Sequence, residues 1–239
     1  MKIDFDGKVV MVTGAAGALG SVVARTFYGA GAKLVCVDLD RDGLERIFEG
    51  VSTSPGDYVN ESIDLTNPDE VKAAVERTIK HFRSIDVLVN TVGGFRSGTP
   101  VHETPMKEWD FLMNLNARSV LVAVRAVIPN MLAQKDGAIV NVGARPGLEG
   151  QARMVAYSAS KSAVIRLTES VSAEVKDFGI RVNCILPGTI DTAQNRKDMP
   201  KADFSTWVKP ESLANVILFL SSEQARDING AALPVYGRS

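Results

Sequence analysis

The sequence predicts an α/β fold: one domain built on a doubly wound parallel sheet of about seven strands, with helices on both faces. Three observations predict it. Short apolar, β-branched runs alternate with longer stretches of helical period. Nearly all of those runs lack polar/apolar alternation, as expected for parallel strands covered on both faces. The first run passes directly into a glycine-rich turn that opens a helical segment.

The first strand is read from KVVMVTG and its helix from residues 19–31. Residues 33–37, 58–63, 86–90, 138–142, 181–186 and 232–235 supply the other six strands. Thr66 or Asn67 ahead of Pro68-Asp69-Glu70, and Thr104 ahead of Pro105, each place a capping oxygen before a first-turn proline, so helices should begin there. The longest helical candidates are 106–134, which Pro129 is expected to end or kink, and 157–177. No linker, repeat or low-complexity tract divides the 239 residues.

Charge and composition exclude several function classes. Lys+Arg 27 against Asp+Glu 28 leaves a net charge of −1, without the basic excess of a nucleic-acid clamp. With 45% hydrophobic and 23% charged residues the chain has the balance of a globular domain, so disorder and coiled coil are excluded. Cys36 and Cys184 lie in separate apolar strands and read as small buried hydrophobes of a reducing compartment. His81 and His102 have no partner spacing for a metal, and no metal site is expected. The start of the chain, with Asp4, Asp6 and Lys8, does not read as a signal peptide. No run of about 18 charge-free apolar residues occurs, so no membrane span and a cytoplasmic location are expected.

The turn Thr13-Gly14-Ala15-Ala16-Gly17-Ala18-Leu19-Gly20 allows close backbone approach to a pyrophosphate at a helix N-terminus. Tight packing alone is the competing explanation for such a turn. Asp38, ending the second strand, strengthens the dinucleotide reading, because its carboxylate accepts from ribose hydroxyls and repels a 2′-phosphate. No cation lies within the turn and only Arg41 is near, so NAD is favoured over NADP. Tyr157 and Lys161, four apart, share one helix face; a lysine cation beside a phenol favours phenolate and suits proton exchange with a carbonyl or alcohol.

These features, with Asp64-Leu65, Asn90 to Gly93, Asn114 in MNLNARS and Pro187-Gly188-Thr189-Ile190-Asp191-Thr192 in order, resemble the short-chain dehydrogenase/reductases over about residues 8–236. The resemblance implies a Rossmann fold and a catalytic group of Tyr157 as general acid/base, Lys161 on the nicotinamide ribose and lowering the tyrosine pKa, and Asn114 holding a relay water. It further implies cofactor contacts from Gly14, Ala16, Gly17, Ala18, Leu19, Gly20, Asp38, Asp64, Leu65, Asn90, Pro187, Gly188, Ile190 and Thr192. A dimer or tetramer is implied as well, joined through helices containing 120–127 and 164–171.

Two positions depart from the family pattern. Ala18 stands where glycine is usual, with the glycine moved to Gly17, and Ala144 stands where the substrate-orienting serine is usual. Losing one such donor costs about 2.7–4 kcal/mol of transition-state stabilisation on a simple ketone. Arg145, Gln151, Ser158 and Asn195 are the polar residues placed to substitute for it; Trp207 and Phe204 would line the substrate or pack their own loop. Within the family, Ala144, the GALG turn and the NRKDMPKADFSTW segment are similar to dihydropteridine reductase, whereas AYSASK and INGA are similar to the oxoacyl-reductase branch. The expected function is NAD(H)-dependent hydride transfer with a small carbonyl or alcohol. The alternatives are reduction of a quinonoid dihydropterin and a catalytically weak NAD-binding protein.

Overall fold

A computed structural model describes residues 3–238; residues 1, 2 and 239, which the one-domain expectation also spans, lie outside the described residues. All seven expected strands form, as β1 (Val9–Thr13), β2 (Lys33–Asp38), β3 (Tyr58–Ser62), β4 (Val87–Asn90), β5 (Gly137–Val142), β6 (Ile180–Pro187) and β7 (Ala232–Val235). They join one parallel sheet in the order β3-β2-β1-β4-β5-β6-β7. β1 therefore lies between β2 and β4, and winding reverses there. That switch opens a crevice beyond the C-terminal ends of β1 and β4, where open α/β sheets bind ligands.

Alternate residues of β1 face opposite layers. Val10 and Val12 join the core under α1 (Ala18–Gly29) and α8 (Pro210–Ser221), while Val9 and Met11 join the core under α3 (Pro68–Phe82), α5 (Ser119–Gln134) and α6 (Val155–Val175). The remaining helices are short: α2 (Arg41–Arg46), α4 (Met106–Leu112) and α7 (Ala193–Asp198). Asn67 caps α3 by accepting from the Asp69 N–H, with Pro68 at the first helical position. Thr104 does not cap α4: its hydroxyl donates to the Pro100 carbonyl, and helix starts at Met106.

The long helical segment does not end where expected. α5 runs on past Pro129 to Gln134, because one lost N–H is outweighed by buried Val127 and Met131 on either side and by the Asn130 side chain accepting from the Ile85 N–H. The irregularity lies earlier, in a π-turn at Met113–Arg118 joining α4 to α5. Met106–Gln134 is also long and apolar enough to cross a membrane by length and composition, with mean hydropathy 1.4 in its most apolar window. Charges such as Asp110, Arg118 and Arg125 interrupt the run and hide this from a count of consecutive apolar residues. Half of that window is buried inside the fold, as in a core helix.

Most apolar positions of 120–127 and 164–171, expected to join subunits, are buried within the chain; Leu121 is the exposed exception. Cys36 and Cys184 are buried free thiols.

Candidate active site

The glycine turn is built by contacts that exclude side chains. Gly14 sits at φ +72°, and a Cβ there would lie 2.8 Å from the Val92 nitrogen. A Cβ on Gly20 would collide with the Gly14 carbonyl oxygen. Gly17 and Ala18 are exposed at the start of α1, which explains why alanine is tolerated at position 18. The first-turn N–H groups of Ala18, Leu19 and Gly20 have no intrahelical acceptor and suit a phosphate.

Asp38 sits against this turn, accepting from the Ala16 N–H at 3.1 Å and the Asp40 N–H at 3.1 Å. Its carboxylate thus helps shape the glycine turn, a role its place in the sequence did not disclose. Asp64 accepts from both the Thr66 N–H and hydroxyl at 2.8 Å, and Leu65 is buried. Asn90, expected among the cofactor contacts, turns its side chain inward: it is buried, accepts from the Thr13 hydroxyl at 3.0 Å and donates to Asn141 at 2.8 Å. Asn141 continues this buried chain to Thr168 on α6 at 2.9 Å. Unpaired amides under a sheet are costly, so the four residues satisfy one another.

Tyr157 and Lys161 stand one turn apart on α6, and Lys161 is buried with its ammonium donating to the Val142 carbonyl at 2.9 Å. The asparagine expected beside them is displaced by two positions. Asn114 is exposed, whereas Asn116 is fully buried: its Oδ1 accepts from the Gly94 N–H at 2.7 Å, and its Nδ2 donates to the Gly94 carbonyl at 3.1 Å and to Ser160 at 2.9 Å. Ser160 in turn donates to the Tyr157 carbonyl at 2.8 Å. A Cβ on Gly93 would lie 3.0 Å from the Lys161 ammonium and 3.2 Å from Asn116 Oδ1, so Gly93 lets these groups converge. The physical reason for the displacement is the π-turn, which resets the helical phase across MNLNAR.

Burial pushes the Tyr157 phenol up to about 12. Burial pulls Lys161 down to about 8, partly opposed by Cys184. The phenol lies under Phe95, ring centroids 4.9 Å apart and edge to face.

Of the substrate candidates, Ala144 is buried, Arg145 and Gln151 are exposed, and the buried Ser158 hydroxyl has no hydrogen-bond partner among the described residues. Pro187 ends β6, and Gly188 donates to the Val235 carbonyl at 3.1 Å. Beyond it Ile190 pairs with Val208, and Thr192 caps α7 by accepting from the Asn195 N–H at 3.1 Å. Asp191 holds Arg196 by two bonds of 2.6 and 2.8 Å, Arg196 stacks 4.7 Å over Phe204, and Phe204 meets Trp207 at 4.8 Å. Trp207 is buried in that packing. Among the described residues no group of three His, Cys, Asp or Glu side chains is placed to hold a metal ion.

A family model described as short chain dehydrogenase matches residues 8–203. The chain belongs to the short-chain dehydrogenase/reductase family. This short-chain dehydrogenase is 33% identical over 242 residues to the 3-oxoacyl-[acyl-carrier-protein] reductase FabG of Thermotoga maritima, covering 97% of each chain. It is 32% identical over 249 residues to dehydrogenase/reductase SDR family member 6 of Rattus norvegicus, again covering 97% of each. Among solved structures, NAD+-bound xylitol dehydrogenase is similar with a TM-score of 0.90 and 26% identity, over 98% of this chain and 99% of that one.

Proposed function

We propose that this short-chain dehydrogenase transfers hydride between NAD(H) and a small carbonyl or alcohol, with Tyr157 as the general acid/base and no orienting serine. The observation that carries this reading is the convergence of Tyr157, Lys161, Asn116 and Gly93 at the C-terminal end of β5, which lies two residues before Ala144. The cofactor's residues fit: a glycine cradle that a Cβ would fill, free N–H groups on α1, and the Asp38 carboxylate. Asp38 supports NAD over NADP by its charge. The bound nicotinamide supplies the hydride.

The chain's own residues handle the proton. In reduction, the substrate carbon gains hydride and its oxygen takes the Tyr157 proton; in oxidation, that proton returns to the phenolate as hydride leaves. Lys161 contributes a buried cation one turn along from Tyr157, and Asn116 fixes loop 93–94 to α6. Ala144 contributes no donor, so the substrate oxygen relies on Tyr157.

A second reading, reduction of a quinonoid dihydropterin, is supported by the packed 189–207 segment and by Ala144, since an already activated ring needs the serine less. One assay tests both. NADH oxidation is followed with ketones and with freshly generated quinonoid dihydropterin, using wild type and Tyr157→Phe. Turnover lost in the variant while NADH still binds, more tightly than NADPH, is expected; preserved turnover overturns the acid/base role. Turnover confined to the pterin selects the second reading.

A further inference from the structure

The loops around the site hold guanidinium groups with no Asp or Glu partner among the described residues. Arg145 follows Ala144, where the chain leaves β5, and its guanidinium carbon lies 5.2 Å from the Tyr236 ring centroid. Arg96 follows Phe95, the residue that covers Tyr157, and stacks 4.6 Å over Phe111. Both are exposed. Among the described residues neither is within ion-pair distance of Asp or Glu, in contrast to Arg77 on Glu61 and Arg196 on Asp191. The two loops are tied together where the Gly98 N–H donates to the Arg153 carbonyl at 2.9 Å. Arg153, a third arginine without an ion pair, is held at φ +63°.

Stacking on a ring occupies the flat face of a guanidinium and leaves its N–H donors at the edge. Arg145 and Arg96 are therefore oriented, with donors open to solvent and to an entering ligand. Their charge is local, because the whole chain carries −1. An oxyanion entering here gains charge-assisted, bidentate hydrogen bonds that a neutral ketone lacks.

Resting on the oxidoreductase reading above, we propose that the substrate is an anionic oxo or hydroxy compound whose carboxylate, or a similar oxyanion, is gripped by Arg145 in the field of Arg96. Binding energy at that charged end orients the reacting carbon at Tyr157 and offsets the donor missing at Ala144.

The test uses matched pairs with NADH: acetoacetate against 2-pentanone, and levulinate against 2-hexanone. In parallel, butyrate, which cannot react, is titrated calorimetrically into the protein saturated with NAD+. At least a tenfold kcat/KM preference for the acid in one pair is expected, with Arg145→Met raising KM for that acid about tenfold and collapsing the preference. Butyrate should bind wild type at least tenfold more tightly than the variant. Equal or better turnover of the neutral ketones overturns the anion proposal and leaves the oxidoreductase reading standing. If no pair turns over although NADH binds, the oxidoreductase reading loses its support and butyrate decides the anion site alone: binding weakened by Arg145→Met upholds it, and no binding, or equal binding, overturns it.

Discussion

Tyr157 keeps its proton because the ring is half-buried and packed against Phe95, which thins the water that would stabilise phenolate. Phe95→Ala admits water and lowers that pKa. In the oxidation direction, where Tyr157 acts as base, the rising limb of kcat/KM against pH should move to lower pH by on the order of one unit. A limb that stays in place, or moves upward, contradicts burial as the cause. The neighbouring asparagines are separated just as sharply. Asn116→Ala removes the bonds to Gly94 and Ser160 and strands buried partners, so turnover should fall at least tenfold. Asn114→Ala, on an exposed side chain, should leave turnover within about twofold, and kinetics of the two variants side by side check the assignment.

At the scale of elements, α1 shows how one helix separates required from incidental glycine. Gly20→Ala drives a Cβ into the Gly14 carbonyl and should lower stability by about 1–3 kcal/mol. Gly29→Ala, in the same helix with open space around it, should be neutral or stabilising by up to about 1 kcal/mol. Thermal unfolding of the two variants gives the comparison. The strands were legible because fully buried parallel strands are continuous apolar runs, and β1, β4 and β5 are buried throughout. The glycine turn and Asp38 were legible because they sit at strand ends, and Tyr157 and Lys161 because they stand four apart on one helix. The asparagine was not, since a π-turn shifts phase without any marker residue in MNLNAR. Nor was the inward turn of Asn90, which depends on Thr13, Asn141 and Thr168 from three other elements.

For the whole molecule, the buried ionisable groups set an alkaline limit. Cys36 is pushed up to about 12, Cys184 to about 11 and Tyr157 to about 12, so each stays protonated in the fold after its unfolded counterpart has ionised. Their stabilising contribution is complete below the unfolded pKa values, about 8.5 for thiols and about 10 for the phenol, and is lost as pH rises towards the folded ones. Lys161, pulled down to about 8, acts in the opposite sense between about pH 8 and 10.4, where it stands against the two thiols. Stability should therefore decline above about pH 9, by on the order of 1 kcal/mol per unit. Tm measured from pH 7 to 11 checks the decline, and Cys36→Ala should make it shallower; an unchanged slope would show that the thiol carries none of it.

The pairing of α1 with α8 has a temporal consequence. Val23 and Phe27 of α1 are covered by a helix that begins at Pro210, so the apolar face of the first helix waits for nearly the last stretch of chain to leave the ribosome. Through most of synthesis the nascent chain carries a sticky, half-dressed layer. Such long-range closure is slow and exposes the chain to aggregation. A ribosome stalled before residue 210 would present a sheet with one face only partly covered, the form that a chaperone would be expected to hold.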